Sequence, residues 1–81
     1  MQKYAQIIRD LRIDHDKSQA QIALVLGTTK NQVGKYERGE QEMPIKHLIS
    51  LCNYYGVSAD YILGLPSGRP YGLSKTHPED K

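Results

Sequence analysis

The sequence predicts an all-α fold, a compact five-helix bundle, and three observations predict it. Apolar residues recur at helical spacing in one stretch after another, while no stretch alternates apolar and polar residues as a half-buried strand would. Capping residues open the helical stretches, as at Ser18, Thr29 and Ser58. Glycines close them, at Gly27, Gly39 and Gly56.

The elements follow in order. In "YAQIIRDLR", Tyr4, Ile7, Ile8 and Leu11 share one helical face, and the polar "DHDK" after it ends the helix. Ser18 with Gln21 three residues later is a capping box for a second helix over 19–26, stopped by Gly27. Thr29 and Gln32 repeat that start for a third helix, 30–38, with Gly39 as its stop. Pro44 opens a fourth, whose apolar face is expected to be Ile45, Leu48, Leu51, Cys52 and Tyr55. Ser58 caps a short fifth helix, "ADYILG". The domain therefore spans residues 1–65. Residues 66–81, rich in Pro, Gly and charge and without periodicity, form a C-terminal tail expected to be flexible or packed by a partner.

Composition narrows the function. A chain of 81 residues makes one domain, and a domain that small buries only roughly 60% of its unfolded surface. There is no Trp or Phe, so six tyrosines supply the aromatic bulk. Tyr4, Tyr36 and Tyr55 are expected in the core, with Tyr54 and Tyr61 partly exposed. A single cysteine, Cys52, excludes an internal disulfide and a Cys-pair zinc site, which fits a reducing compartment. The early charges rule out a signal peptide, and no apolar run is long enough to span a bilayer, so a soluble cytoplasmic protein without membrane contact is expected. His15, His47, His77 and Cys52 lack metal-ligand spacing, and Cys52 falls on an apolar helix face; no metal or cofactor is expected. No nucleophile–base set, phosphate loop or carboxylate pair presents itself, so the sequence does not predict an enzyme. Net charge is only +2, but residues 1–39 hold seven Lys/Arg against four acids. That basic half suits an anionic partner or an ordinary solvated surface.

The third helix is the unusual one. Its apolar stripe is only Val33 and Tyr36. At 100° per residue, Thr29, Val33, Tyr36 and Glu37 fall on one side, while Asn31, Lys35 and Arg38 fall on the other beside Gly34. Lys30 and Gln32 flank them. Amides and cations are the groups that reach base edges in the major groove: Asn and Gln pair with adenine, Lys with guanine. Gly34 costs about 1 kcal/mol relative to Ala in an exposed helix interior. Either its missing side chain admits a close approach of DNA, or the exposed site merely tolerates it.

Two short helices joined by "GTT", with the small Ala23 where they must approach, form a helix-turn-helix pattern. The stretch "SQAQIALVLGTTKNQVGKYERGE" resembles the phage-repressor-type (Cro-like, XRE) helix-turn-helix family, and the likeness extends over roughly residues 4–65. It implies a lambda-repressor-like bundle that binds double-stranded DNA. Lys30, Asn31 and Lys35 match base-reading positions. Gln32 matches one that touches backbone or a flanking base; Gln19, Thr29 and Arg38 match phosphate-facing ones, Gln19 also bracing the third helix. Arg12 is the implied partner of the inward-facing Glu37 in a structural salt bridge. Tyr54, Tyr61, Leu63 and Leu65 lie at the end of the bundle where the family forms a two-fold dimer, so a pseudo-palindromic operator is implied. The function implied is a transcriptional regulator, a repressor by its likeness.

The sequence departs from the family pattern in places. Asp16 and Lys17 stand where Gly and Leu are common; Asp tolerates a left-handed turn. Leu24 and Val25 replace usually polar residues, and either thicken the core or leave a sticky surface. Glu40 and Glu42 would repel phosphate if they faced it. Two other functions stay open on sequence: an antitoxin whose tail from Pro66 to Lys81 is captured by a toxin, and a protein-interaction module that has lost DNA binding.

Overall fold

The computed structural model describes residues 3–66; the tail expected over 66–81 lies, apart from Pro66, outside the described residues. Five helices follow one another: α1 (Lys3–Asp14), α2 (Gln19–Leu26), α3 (Lys30–Glu37), α4 (Ile45–Tyr55) and α5 (Ala59–Leu63). The described residues contain no strand.

The capping chemistry fixes the boundaries. The Ser18 hydroxyl accepts from the Gln21 amide at 3.0 Å, and the Ser18 amide donates to Gln21 Oε1 at 2.7 Å, so both halves of the box form. At α3 only one half forms: Thr29 Oγ1 accepts from the Gln32 amide at 3.1 Å, and the Gln32 side chain makes no bond back. Ser58 caps α5 in the same one-sided way. The chain leaves α2 through Gly27 at φ 71°, a left-handed conformation that glycine adopts without a Cβ clash. Asp16 does the same job after α1 at φ 55°, as the acid-for-glycine departure implied. Helix α3 is one residue shorter than expected. Arg38 is its C-cap and Gly39, at φ 72°, turns the chain away.

Ile8 and Leu11 of α1, Ile22, Ala23 and Leu26 of α2, Val33 and Tyr36 of α3, Leu51 of α4 and Ile62 of α5 form one continuous core. Ala23, 5% exposed, is the close-approach residue between α2 and α3. Tyr4 and Tyr55 are partly buried against this core, as is Cys52. Tyr4 also pins α1 to the chain before α4, its hydroxyl accepting from the Met43 amide at 3.0 Å.

One expectation about faces needs correction. Ile45 is 73% exposed rather than part of the buried face of α4. It opens the helix, one turn ahead of Leu48. His47 takes an inward place instead: its Nδ1 lies 3.0 Å from the Tyr36 hydroxyl in a buried contact. Burial pushes its pKa below the ordinary histidine value, with the nearby Lys46 charge adding to the effect. The contact joins α3 to α4 through a polar bond inside the core. Of the two unusual residues in α2, Val25 packs on the core and Leu24 stays exposed.

Candidate nucleic-acid interface

Helix α3 is held from its inward side. Val33 and Tyr36 are each 2% exposed and supply its apolar contact. Glu37 supplies the polar one. Its side chain is 4% exposed and accepts from Arg12 Nε at 2.8 Å and Nη2 at 3.0 Å, a two-pronged pair between α1 and α3. Arg12 Nη1 donates to the Lys17 carbonyl at 2.9 Å, which ties in the turn after α1. Gln19 Nε2 donates to Glu37 Oε1 at 3.1 Å from the start of α2. The guanidinium is held protonated more firmly than usual, mainly by this carboxylate and against the opposing effect of burial. The Arg12–Glu37 pair expected from the resemblance is therefore present, and Gln19 is the third member that braces the helix. That bond occupies one amide hydrogen of Gln19 and leaves its other polar atoms open, so bracing does not consume the side chain.

The outward side differs in every respect. Lys30, Asn31 and Lys35 are exposed, and none of them bonds to another described group through its side chain. Gln32 is half-buried on the flank with a free amide. Thr29 spends its hydroxyl oxygen on the cap but keeps its proton to donate. The first-turn amides of α3 point off the helix end, where they and the helix dipole favour an anion.

Two residues sit differently from expectation. Gly34 is buried rather than exposed, because the Arg38 side chain folds back over it. A Cβ on Gly34 would lie 2.8 Å from Arg38 Nη1. Arg38 itself donates from Nε to Glu40 Oε2 at 2.7 Å and from Nη2 to Glu40 Oε1 at 3.2 Å. Each raises the other's readiness to stay charged: the Arg38 pKa is up and the Glu40 pKa down, in both cases chiefly through this hydrogen bond. No periodicity argument marks a pair two residues apart across a helix cap; the Arg-Gly-Glu run, with glycine turning the chain, was the available signal.

Elsewhere the polar side chains make no site. Among the described residues, no pocket and no group of three His, Cys, Asp or Glu suited to a metal is found. No helix is long and apolar enough to cross a membrane. At the far end of the bundle Tyr54, Tyr61 and Leu65 are exposed, whereas Leu63 is half-buried.

A short helix docked by α1 and α2 across a tight turn, with an unbonded amide and cationic row facing out, is the architecture of a helix-turn-helix protein. The chain belongs to the helix-turn-helix family, whose sequence profile matches residues 8–62. It is 40% identical over 62 residues to the uncharacterized HTH-type transcriptional regulator YobD of Bacillus subtilis (strain 168), covering 76% of this chain and 55% of that one. It is 38% identical over 50 residues to the cryptic phage CTXphi transcriptional repressor RstR of Vibrio cholerae, covering 62% of this chain and 45% of that one. The chain thus spans about half the length of the curated relatives it matches. Among solved structures, it resembles the P22 c2 repressor protein in complex with a synthetic operator, with a TM-score of 0.71 and 27% identity over 78% of this chain and 96% of that one. A transcriptional regulator from Listeria innocua gives a TM-score of 0.76 at 29% identity, over 89% of this chain and 67% of that one.

Proposed function

We propose that this protein is a sequence-specific, double-stranded-DNA-binding transcriptional regulator, a repressor acting in the bacterial cytoplasm. The observation that carries the reading is the division of α3. One side is locked to α1 and α2 by a buried carboxylate network, and the other offers Lys30, Asn31 and Lys35 unbonded. Such a helix is rigid where it must be placed and free where it must read. Lys30, Asn31 and Lys35 contact base edges. Gln19, Thr29, Gln32 and Arg38 contact the backbone or flanking positions, setting affinity and its salt dependence. The P22 repressor–operator likeness supports duplex DNA as the ligand. Two copies joined through Tyr54, Tyr61 and Leu65, with Leu63 beneath, bind a pseudo-palindromic operator whose half-sites lie about 34 Å apart.

The test is selection of random duplex DNA on the purified protein, then titration of the enriched sequence and a scrambled one. A two-fold-symmetric consensus bound far above the scrambled duplex is expected. Asn31→Ala or Lys35→Ala should cost about 1–3 kcal/mol of operator binding and relax one base position. Equal weakening on operator and scrambled DNA would refute the base-reading assignment, and no enrichment at all would refute the regulator.

A further inference from the structure

Arg38 is the cation at the end of α3, and it is not free. Its Nε and Nη2, the parallel donors of one edge of the guanidinium, are both taken by the two oxygens of Glu40. That is the geometry in which arginine grips a phosphate, with a carboxylate in the phosphate's place. We propose that Glu40 is an affinity-setting residue: its carboxylate occupies the phosphate-binding edge of Arg38 and competes with the DNA backbone for it.

Three features make this a built competitor rather than an incidental surface pair. First, the backbone fixes where the carboxylate stands. Gly39 turns at φ 72° and the Glu40 amide donates to the Lys35 carbonyl at 2.9 Å, so Glu40 is set directly beyond the last turn of α3. Second, the far side of the guanidinium has a seat. Nη1 rests over Gly34, the one position of α3 without a side chain, and any larger residue there would push it out. Third, the pair is easily exchanged. The two side chains are 57% and 53% exposed, and exposed pairs of this kind contribute little to folding. A phosphate can therefore displace Glu40 without unfolding anything. The cost falls on binding alone: opening the pair leaves a carboxylate near the DNA backbone, and while it is closed Arg38 releases no counterion.

The inference rests on α3 being a DNA-binding helix with Arg38 towards phosphate. The experiment measures binding of a random-sequence duplex at several salt concentrations by wild type, Glu40→Gln, Arg38→Ala and the double variant, with thermal melts to confirm the fold. Glu40→Gln should bind about three- to tenfold tighter near 0.1 M salt, with a log–log salt slope steeper by up to about 0.9, the limit for a pair that stays closed in the wild-type complex. In the Arg38→Ala background the same change should give about twofold or less, the residue of a single screened charge. An equal gain in both backgrounds would mean that Glu40 acts by general repulsion, and would overturn the proposal. Weaker binding by Glu40→Gln would mean that the carboxylate positions Arg38 for DNA, and would overturn it too. Absence of binding by every protein, wild type included, would refute the DNA-binding reading itself.

Discussion

Replacing Arg12 by methionine would leave Glu37 as a carboxylate with a side chain 4% exposed, supported by the Gln19 amide at 3.1 Å alone. Removing one member of a buried pair costs about 3–5 kcal/mol, because the remaining charge is neither hydrated nor matched. Replacing Glu37 by leucine is the milder change. Arg12 keeps the Lys17 carbonyl at 2.9 Å and, at 14% exposure, a route to water. About 1–3 kcal/mol is expected there. The double variant removes both charges and fills the space with apolar atoms, so it should return to within about 2 kcal/mol of wild type. A domain of this size holds only about 3–9 kcal/mol in total, so Arg12→Met alone should sit near the edge of folding. Urea unfolding followed by far-ultraviolet circular dichroism at low temperature measures all four proteins. The cycle should give a coupling of at least about 2 kcal/mol, the lower bound of those figures. If the two single losses simply add in the double variant, the pair does not act as a unit and the reasoning fails.

Other predictions are narrower. The His47 pKa is lowered by burial, so its contribution to stability is present above its ordinary value of about 6.5 and lost as pH falls through the depressed folded value; His47→Gln should remove that part of the pH dependence of the urea midpoint, and an unchanged slope would refute it. Thr29→Ala should cost about 1 kcal/mol in thermal or urea melts through the lost cap, while Thr29→Ser should not. Gly34→Ala should stabilise the fold by about 0.5–1 kcal/mol, because its new methyl meets only the movable end of Arg38. A lower melting temperature would show that the guanidinium cannot yield.

The fold was legible where backbone geometry depends on single residue types. Ser18 with Gln21, Thr29, Gly27 and Gly39 each marked a helix end by local chemistry, and local chemistry needs no knowledge of the partner helix. Faces were less legible. The 3.6-residue period places Ile45 with Leu48, but only the packing decides that Ile45 lies uncovered. His47 shows the converse: nothing in the apolar pattern marks an imidazole as an inward residue until the Tyr36 hydroxyl is known to face it. The Arg12–Glu37 pair came from family likeness, since a partner 25 residues away leaves no periodic trace. In the sequence, Arg38 and Glu40 each point to the DNA backbone, one by attraction and the other by repulsion, and nothing pairs them with each other. Their pairing depends on the direction in which Gly39 turns the chain.

The two-sidedness of α3 has an evolutionary consequence. The side chains of Lys30, Asn31 and Lys35 make no bond that holds the protein together, and the inward contacts of the helix lie at Val33, Tyr36 and Glu37. Substitutions at the first set are therefore nearly free of folding cost. Under the proposed function, a lineage carrying this scaffold would rewrite what it recognises one side chain at a time, passing through intermediates that all fold. The partner would then diverge as fast as those three side chains follow, while the domain beneath them stays the same.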